Sequence, residues 1–250
     1  MNRKKAFAVT GLVLMVVLGV YRRVHRGNTL PSETEMVAIM TEAMGTESIP
    51  GNDTPIRKAI RDSFKYLLDE DKSYEDKASQ RYRTKYMSNL LRPYSFVVDP
   101  YRQGAVTELR SLKDLDQQHI AELQRFPEVA RSNLISAGVS EADANTFAEG
   151  IKKGGGGASM EQLSRDTDLE MKWIDSLLEL YHFAEDNRTH MGMPTTDELT
   201  FDDENVRSQF MAFANKADAL AAERTKVSAA SENGLQRRRP QISFTAHGAN

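Results

Sequence analysis

Residues 6–21, AFAVTGLVLMVVLGVY, form an uncharged apolar run bracketed by Arg3, Lys4 and Lys5 before it and Arg22, Arg23 and Arg26 after it. As a helix, these 16 residues span about 24 Å at about 1.5 Å each. That falls short of a hydrocarbon core of about 30 Å by an amount that snorkelling Lys5 and Arg22 can cover. A cleaved export signal begins in the same way. Its best pair of small residues, Val17 and Gly19, lies inside the run, so a retained single transmembrane helix is expected. A lipid-modified signal is excluded because the chain has no cysteine. The basic residues slightly favour an inside N-terminus, which places the body outside the cytoplasm, in the periplasm of a bacterium.

Beyond residue 30 the pattern becomes helical. Ser32-Glu33-Thr34-Glu35 is a capping box opening a short helix to about Met44. Thr54-Pro55 opens the next, whose stripe of Ile56, Ile60, Phe64, Leu67 and Leu68 continues as Tyr74, Ala78, Tyr82, Tyr86 and Leu90 until Pro93. This aromatic stripe reads as core. Phe96-Val97-Val98 is the one β-like run. Leu109, Leu112, Ile120 and Leu123 predict a helix over 103–125, stopped by Pro127. Two short helices follow at 128–137 and 141–152, separated by Gly138, with Ser140 as a cap.

Gly154 to Gly157 predict a hinge, since consecutive glycines carry too much backbone entropy for an element interior. The longest stripe comes next, Met160, Leu163, Thr167, Met171, Ile174, Leu178 and Tyr181, broadened by Trp173, Leu177 and Leu180. Thr195 and Glu198 fit a second capping box, followed by a last helix through Phe210, Phe213 and Ala217 to about Ser228. The organisation expected is therefore an anchor at 1–30, a helical region at 31–153, the hinge at 154–157, a second helical region at 158–231 and a disordered basic tail at 232–250. The fold class is all-α: one transmembrane helix followed by an irregular helical bundle.

Charge sharpens this picture. Net charge over the whole chain is −3, but residues 31–230 hold 24 basic and 35 acidic residues, a net of −11. Such a body repels nucleic acid, whose phosphates dominate binding, and no nucleic-acid partner is expected. Without cysteine there are no disulfides, thiolate metal sites or cysteine nucleophiles.

Candidate chemistry is sparse. The glycine run lacks the lysine of a phosphate loop. Asp166, Asp168 and Glu170 begin like a calcium loop, but Met171 and Leu177 stand where glycine and glutamate are required, so the segment reads as a solvated helix face. Asp116 and His119, and Glu179 and His182, each have the spacing that puts two metal ligands on one helix face. These four are the candidate metal ligands, and a complete site needs further carboxylates that the sequence does not single out. No cofactor and no catalytic residue is assigned. The expected function is that of a membrane-anchored interaction or scaffold protein at the cell envelope, with the bilayer as partner through residues 6–21 and another protein as partner of the body. The alternative is a membrane-tethered helical enzyme or metal-binding bundle built around His119 and His182.

Overall fold

In the computed structural model, which describes residues 31, 33–43, 53–153 and 160–237, helix α1 (Glu33–Ala43) is followed by α2 (Pro55–Tyr82). Thr54 caps α2: its backbone is extended and its hydroxyl accepts from the Arg57 amide at 3.2 Å. A 3-10 turn (Met87–Asn89) and the short α3 (Pro93–Val97) lead to the 38-residue α4 (Asp99–Ser136), then α5 (Glu141–Lys153) and α6 (Met160–Asp186). A second 3-10 turn (Arg188–His190) precedes a hairpin of β1 (Met191–Thr195) and β2 (Glu198–Phe201), and α7 (Glu204–Arg237) closes the described chain. The body is thus mostly helical, in line with the all-α expectation. The apolar run at 6–21, the glycines at 154–157 and the tail from residue 238 lie outside the described residues. Among the described residues no helix is long and apolar enough to cross a membrane.

Two apolar clusters organise these elements. The first joins Met36 and Ile39 of α1, Ile60, Phe64 and Leu67 of α2, Leu123, Phe126 and Leu134 of α4, and Phe147 and Ile151 of α5. The second joins Phe96 of α3, Leu109 and Leu112 of α4, Ile174, Leu177, Leu180 and Tyr181 of α6, and Phe210 and Ala217 of α7. Helices α2 and α4 run through both. The clusters are therefore joined along those two helices.

Four local expectations are corrected. First, Pro127 does not stop a helix. It lies inside α4 and is buried. A proline there removes one backbone hydrogen bond at a cost of about 3 kcal/mol. Burial of Leu123, Phe126 and Ala130 around it, with Phe126 5.7 Å from the Phe64 ring, offsets that loss. Second, α2 ends at Tyr82 instead of Leu90. The Leu90 carbonyl is taken by the hydroxyls of Ser95 (2.9 Å) and Tyr181 (2.5 Å), so the turn before Pro93 is held by tertiary bonds. Third, Phe96 and Val97 are helical, with Pro93 in the first turn after an extended Arg92.

Fourth, Thr195 and Glu198 do not form a capping box. They face each other as register partners across the two-residue turn of the hairpin, with Met191 opposite Phe201. The ladder is irregular between Gly192 and Thr195, where Pro194 has no N–H to donate. The true cap of α7 is Asp203, whose Oδ1 accepts from the amides of Asn205 (2.7 Å) and Val206 (3.2 Å). Helix α7 also continues to Arg237, past the expected end near Ser228. At the α4–α5 junction the reading holds: Gly138 has φ +90°, and the Ser140 hydroxyl accepts from the Asp143 amide at 3.2 Å.

Two substitutions test this packing. On α6, Leu177 is fully buried but Leu178 only half-buried, so Leu177→Ala should lower stability in urea by about 2–5 kcal/mol and Leu178→Ala by clearly less. A Cβ added at Gly104 in α4 would overlap the Tyr86 ring, 2.6 Å from its Cζ. Gly104→Ala should therefore destabilise by about 1–3 kcal/mol, although alanine is intrinsically the better helix former. Adding Tyr86→Ala should recover most of the loss, and equal midpoints for single and double variants would contradict the assigned contact.

Candidate functional site

A layer of polar side chains lies between the two apolar clusters. On α2, Tyr66, Tyr74 and Tyr82 stand eight residues apart, and each hydroxyl donates to a carboxylate on another helix. Tyr66 reaches Glu122 of α4, Tyr74 reaches Asp116 Oδ1 of α4 at 2.7 Å, and Tyr82 reaches Glu170 of α6. Eight residues are slightly more than two helical turns, so each step rotates the next tyrosine by about 80°. That drift carries the third rung from α4 round to α6.

The carboxylates are withdrawn from water. Asp116 is fully buried, and Asp71 and Glu170 are nearly so. Glu170 also accepts the Arg224 guanidinium of α7 at 2.7 Å, and that guanidinium lies 5.4 Å from the Trp173 ring centroid. Burial and then the Glu170 charge push the Tyr82 hydroxyl well above its ordinary range; burial, then Glu170 and Asp116, does the same to Tyr74. The hydrogen bond to Glu122 pushes Tyr66 up to about 12. Each shift favours the protonated phenol, and so the donor, across the neutral range.

The pair in this layer shifted into the range between pH 4 and 7 is Asp71 of α2 and His119 of α4. Asp71 Oδ1 lies 3.8 Å from His119 Nε2, too long for a direct hydrogen bond, and both side chains are about nine-tenths buried. The imidazole stacks on Tyr74 with centroids 4.0 Å apart and planes 10° from parallel. Burial, then the charge of Glu75, pushes the Asp71 carboxyl up to about 7, and burial pushes His119 down to about 4.

The four candidate ligands part company here. Asp116 and His119 do share the buried layer, but Asp116 receives the Tyr74 hydroxyl while His119 faces Asp71. Glu179 is half-exposed and pairs with Lys216 at 2.6 Å, and exposed His182 lies 3.5 Å from Arg110. Arg110 and His119 are nine residues apart on α4, about 13 Å along the axis, so the two histidines occupy different places. Among the described residues, no three His, Asp or Glu side chains converge as a metal site would need. Glu170, expected on a solvated face, is buried and paired; the carboxylate is tolerated there because Tyr82 and Arg224 replace its water. Sequence reasoning missed Asp71, Glu170 and Arg224. The available signal was the repeated i, i+3 pairing of a polar with an aromatic residue, Asp71 with Tyr74 and Glu170 with Trp173.

The Asp71–His119 pair has a consequence for stability against pH. The raised Asp71 makes the folded chain bind an extra proton from about pH 4 to about pH 7, so its contribution falls as pH rises through that window. The lowered His119 makes the unfolded chain bind the extra proton from about pH 4 to 6.5, so its contribution rises with pH. The two oppose because the pair carries one proton in either state, on the imidazole when unfolded and on the carboxyl when folded. Relative to the parent, Asp71→Asn should make stability rise from pH 4 to 6.5, and His119→Gln should make it fall from pH 4 to 7. Each slope should approach about 1.4 kcal/mol per pH unit. Urea midpoints across pH 4–8 read both, and slopes of the same sign would overturn the account.

What the layer offers chemically is a set of protonated phenols and desolvated carboxylates holding four helices in register. The sequence matches no protein-family model, and no curated protein or solved structure is significantly similar to it, so function is argued from these residues and from the sequence alone.

Proposed function

We propose that this chain is a single-pass, membrane-anchored helical protein whose body lies outside the cytoplasm and binds another protein at the cell envelope. The observation that carries the reading is the uncharged run at 6–21 between basic flanks. The arrangement of the body supports it. Helix α1 begins at Glu33, and Met36 and Ile39 pack it into the first cluster at the N-terminal half of α2. The 11 residues from Arg22 to Ser32 can reach at most about 40 Å when extended. That length lets the body stand clear of the bilayer surface. The net charge of −11 over 31–230 keeps the body off an anionic leaflet. The tyrosines of the buried layer and the carboxylates Asp116, Glu122 and Glu170 are engaged with one another, which favours a binding role over a catalytic one.

The intact chain should remain in the membrane pellet after carbonate extraction, with Met1 or Asn2 still at its N-terminus. A soluble species beginning near Val20 would overturn the anchor. Crosslinking in the native membrane should join the body to a second protein, and its absence would remove the binding role. Stoichiometric metal in the purified full chain would favour the membrane-tethered metal bundle instead.

A further inference from the structure

Between Asp76 and Asp99 the chain carries five basic residues, Lys77, Arg81, Arg83, Lys85 and Arg92, and no acidic one. This is the reverse of the body as a whole. The stretch covers the end of α2, the first 3-10 turn and α3. Arg81 is answered by Glu108 at 3.2 Å and Arg92 by Asp197 at 3.4 Å, though the Arg92 side chain stays 61% exposed. Arg83 and Lys85 are exposed and make no ion pair among the described residues.

A second feature shares this surface. The rings of Tyr94 and Tyr101 meet edge to face at 4.9 Å, and those of Tyr86 and Tyr101 at 6.1 Å. All three are half-buried. Unlike the tyrosines of the buried layer, their hydroxyls donate to no protein group among the described residues. The Lys85 ammonium lies 5.0 Å from the Tyr86 ring centroid and 5.6 Å from that of Tyr101. Gly104 seats Tyr86 directly on the backbone of α4, where any side chain would displace the ring. The rings are therefore held in place before anything binds. Leu91, at 58% exposure the most open large apolar side chain among the described residues, stands in the same connection. Tyrosine and arginine beside an exposed apolar side chain are the composition of protein-binding hot spots, and preset rings lose little entropy on contact.

From this we infer that the surface built by Arg83, Lys85, Tyr86, Leu91, Tyr94 and Tyr101 binds an acidic segment of a partner protein, with carboxylates on the two cations and an apolar side chain against Leu91 and the tyrosine faces. The inference rests on the protein-binding reading above and supplies its face and partner chemistry. Charge complementarity selects the acidic segment. An anionic bilayer would meet the same cations, but it would also face the net charge of −11 over residues 31–230, which keeps the body off such a surface. A long nucleic acid would run onto the acidic remainder of the body, whereas a short acidic segment stays within about a Debye length of the patch.

The test uses the full-length protein in zwitterionic nanodiscs and fluorescence anisotropy at low salt. The probes are a fluorescein-labelled octapeptide alternating glutamate with leucine, and its glutamine counterpart. The glutamate peptide should bind and the glutamine peptide should not. Arg83→Glu with Lys85→Glu should weaken binding by about tenfold or more while lowering the melting temperature only slightly, through loss of the Lys85–tyrosine contacts, since both residues are exposed. Tyr94→Ala with Tyr101→Ala should weaken it while leaving the charge intact. No binding of the glutamate peptide, or equal binding by the charge-reversed protein, would overturn the inference. So would loss of peptide binding when the discs contain phosphatidylglycerol, which would make the patch a lipid face, or tighter binding of an oligothymidine. If native crosslinks form elsewhere on the body while the peptide fails to bind, the protein-binding reading stands and this face falls. If the peptide binds but the body yields no native crosslink, the reading falls and the face remains.

Discussion

Buried carboxylates must be given partners, and that requirement shapes this molecule more than any other. Asp116 and Glu170 sit where two apolar clusters meet, in a position that water cannot serve. An unpartnered carboxylate there would cost several kcal/mol. The chain supplies tyrosine hydroxyls from α2 and one guanidinium from α7, and each such bond joins two different helices. The layer therefore sets the register of α2, α4, α6 and α7 against one another in a way that apolar packing alone, tolerant of sliding, does not. Its phenols stay protonated because burial and the neighbouring charges both disfavour a phenolate.

The same principle extends to the outer end of the second cluster. Arg102 is almost completely buried; it donates to the Phe96 carbonyl at 3.1 Å and pairs with Asp99 and Glu185. It thereby ties α3, α4 and α6 together just below the tyrosine surface. Buried cations and phenols fasten the helices inside, while Arg83, Lys85, Tyr86, Tyr94 and Tyr101 are left outside with their polar groups unspent. The body thus uses one pair of residue types twice, as internal fastening and as an exposed face suited to an acidic partner.

The chain's helical character, its capping at Thr54 and Ser140, the glycine at the end of α4 and the apolar stripe of α6 are legible in the sequence, because each depends on residues within about four positions of one another. So are the uncharged run at 6–21 and the acidic balance of the body, which need no fold to be read. The continuation of α4 through Pro127, the end of α2 at Tyr82 and the hairpin at Met191–Phe201 were decided by tertiary contacts: aromatic packing around the proline, capture of the Leu90 carbonyl by Tyr181 and Ser95, and closure of two short strands across a two-residue turn. The candidate site divides in the same way. Asp116 and His119 could be singled out by their spacing, but their partners could not, since the tyrosine–carboxylate bonds join residues 42, 56 and 88 positions apart. Local periodicity shows which face of a helix is buried; only the packed structure decides which distant side chain replaces water there.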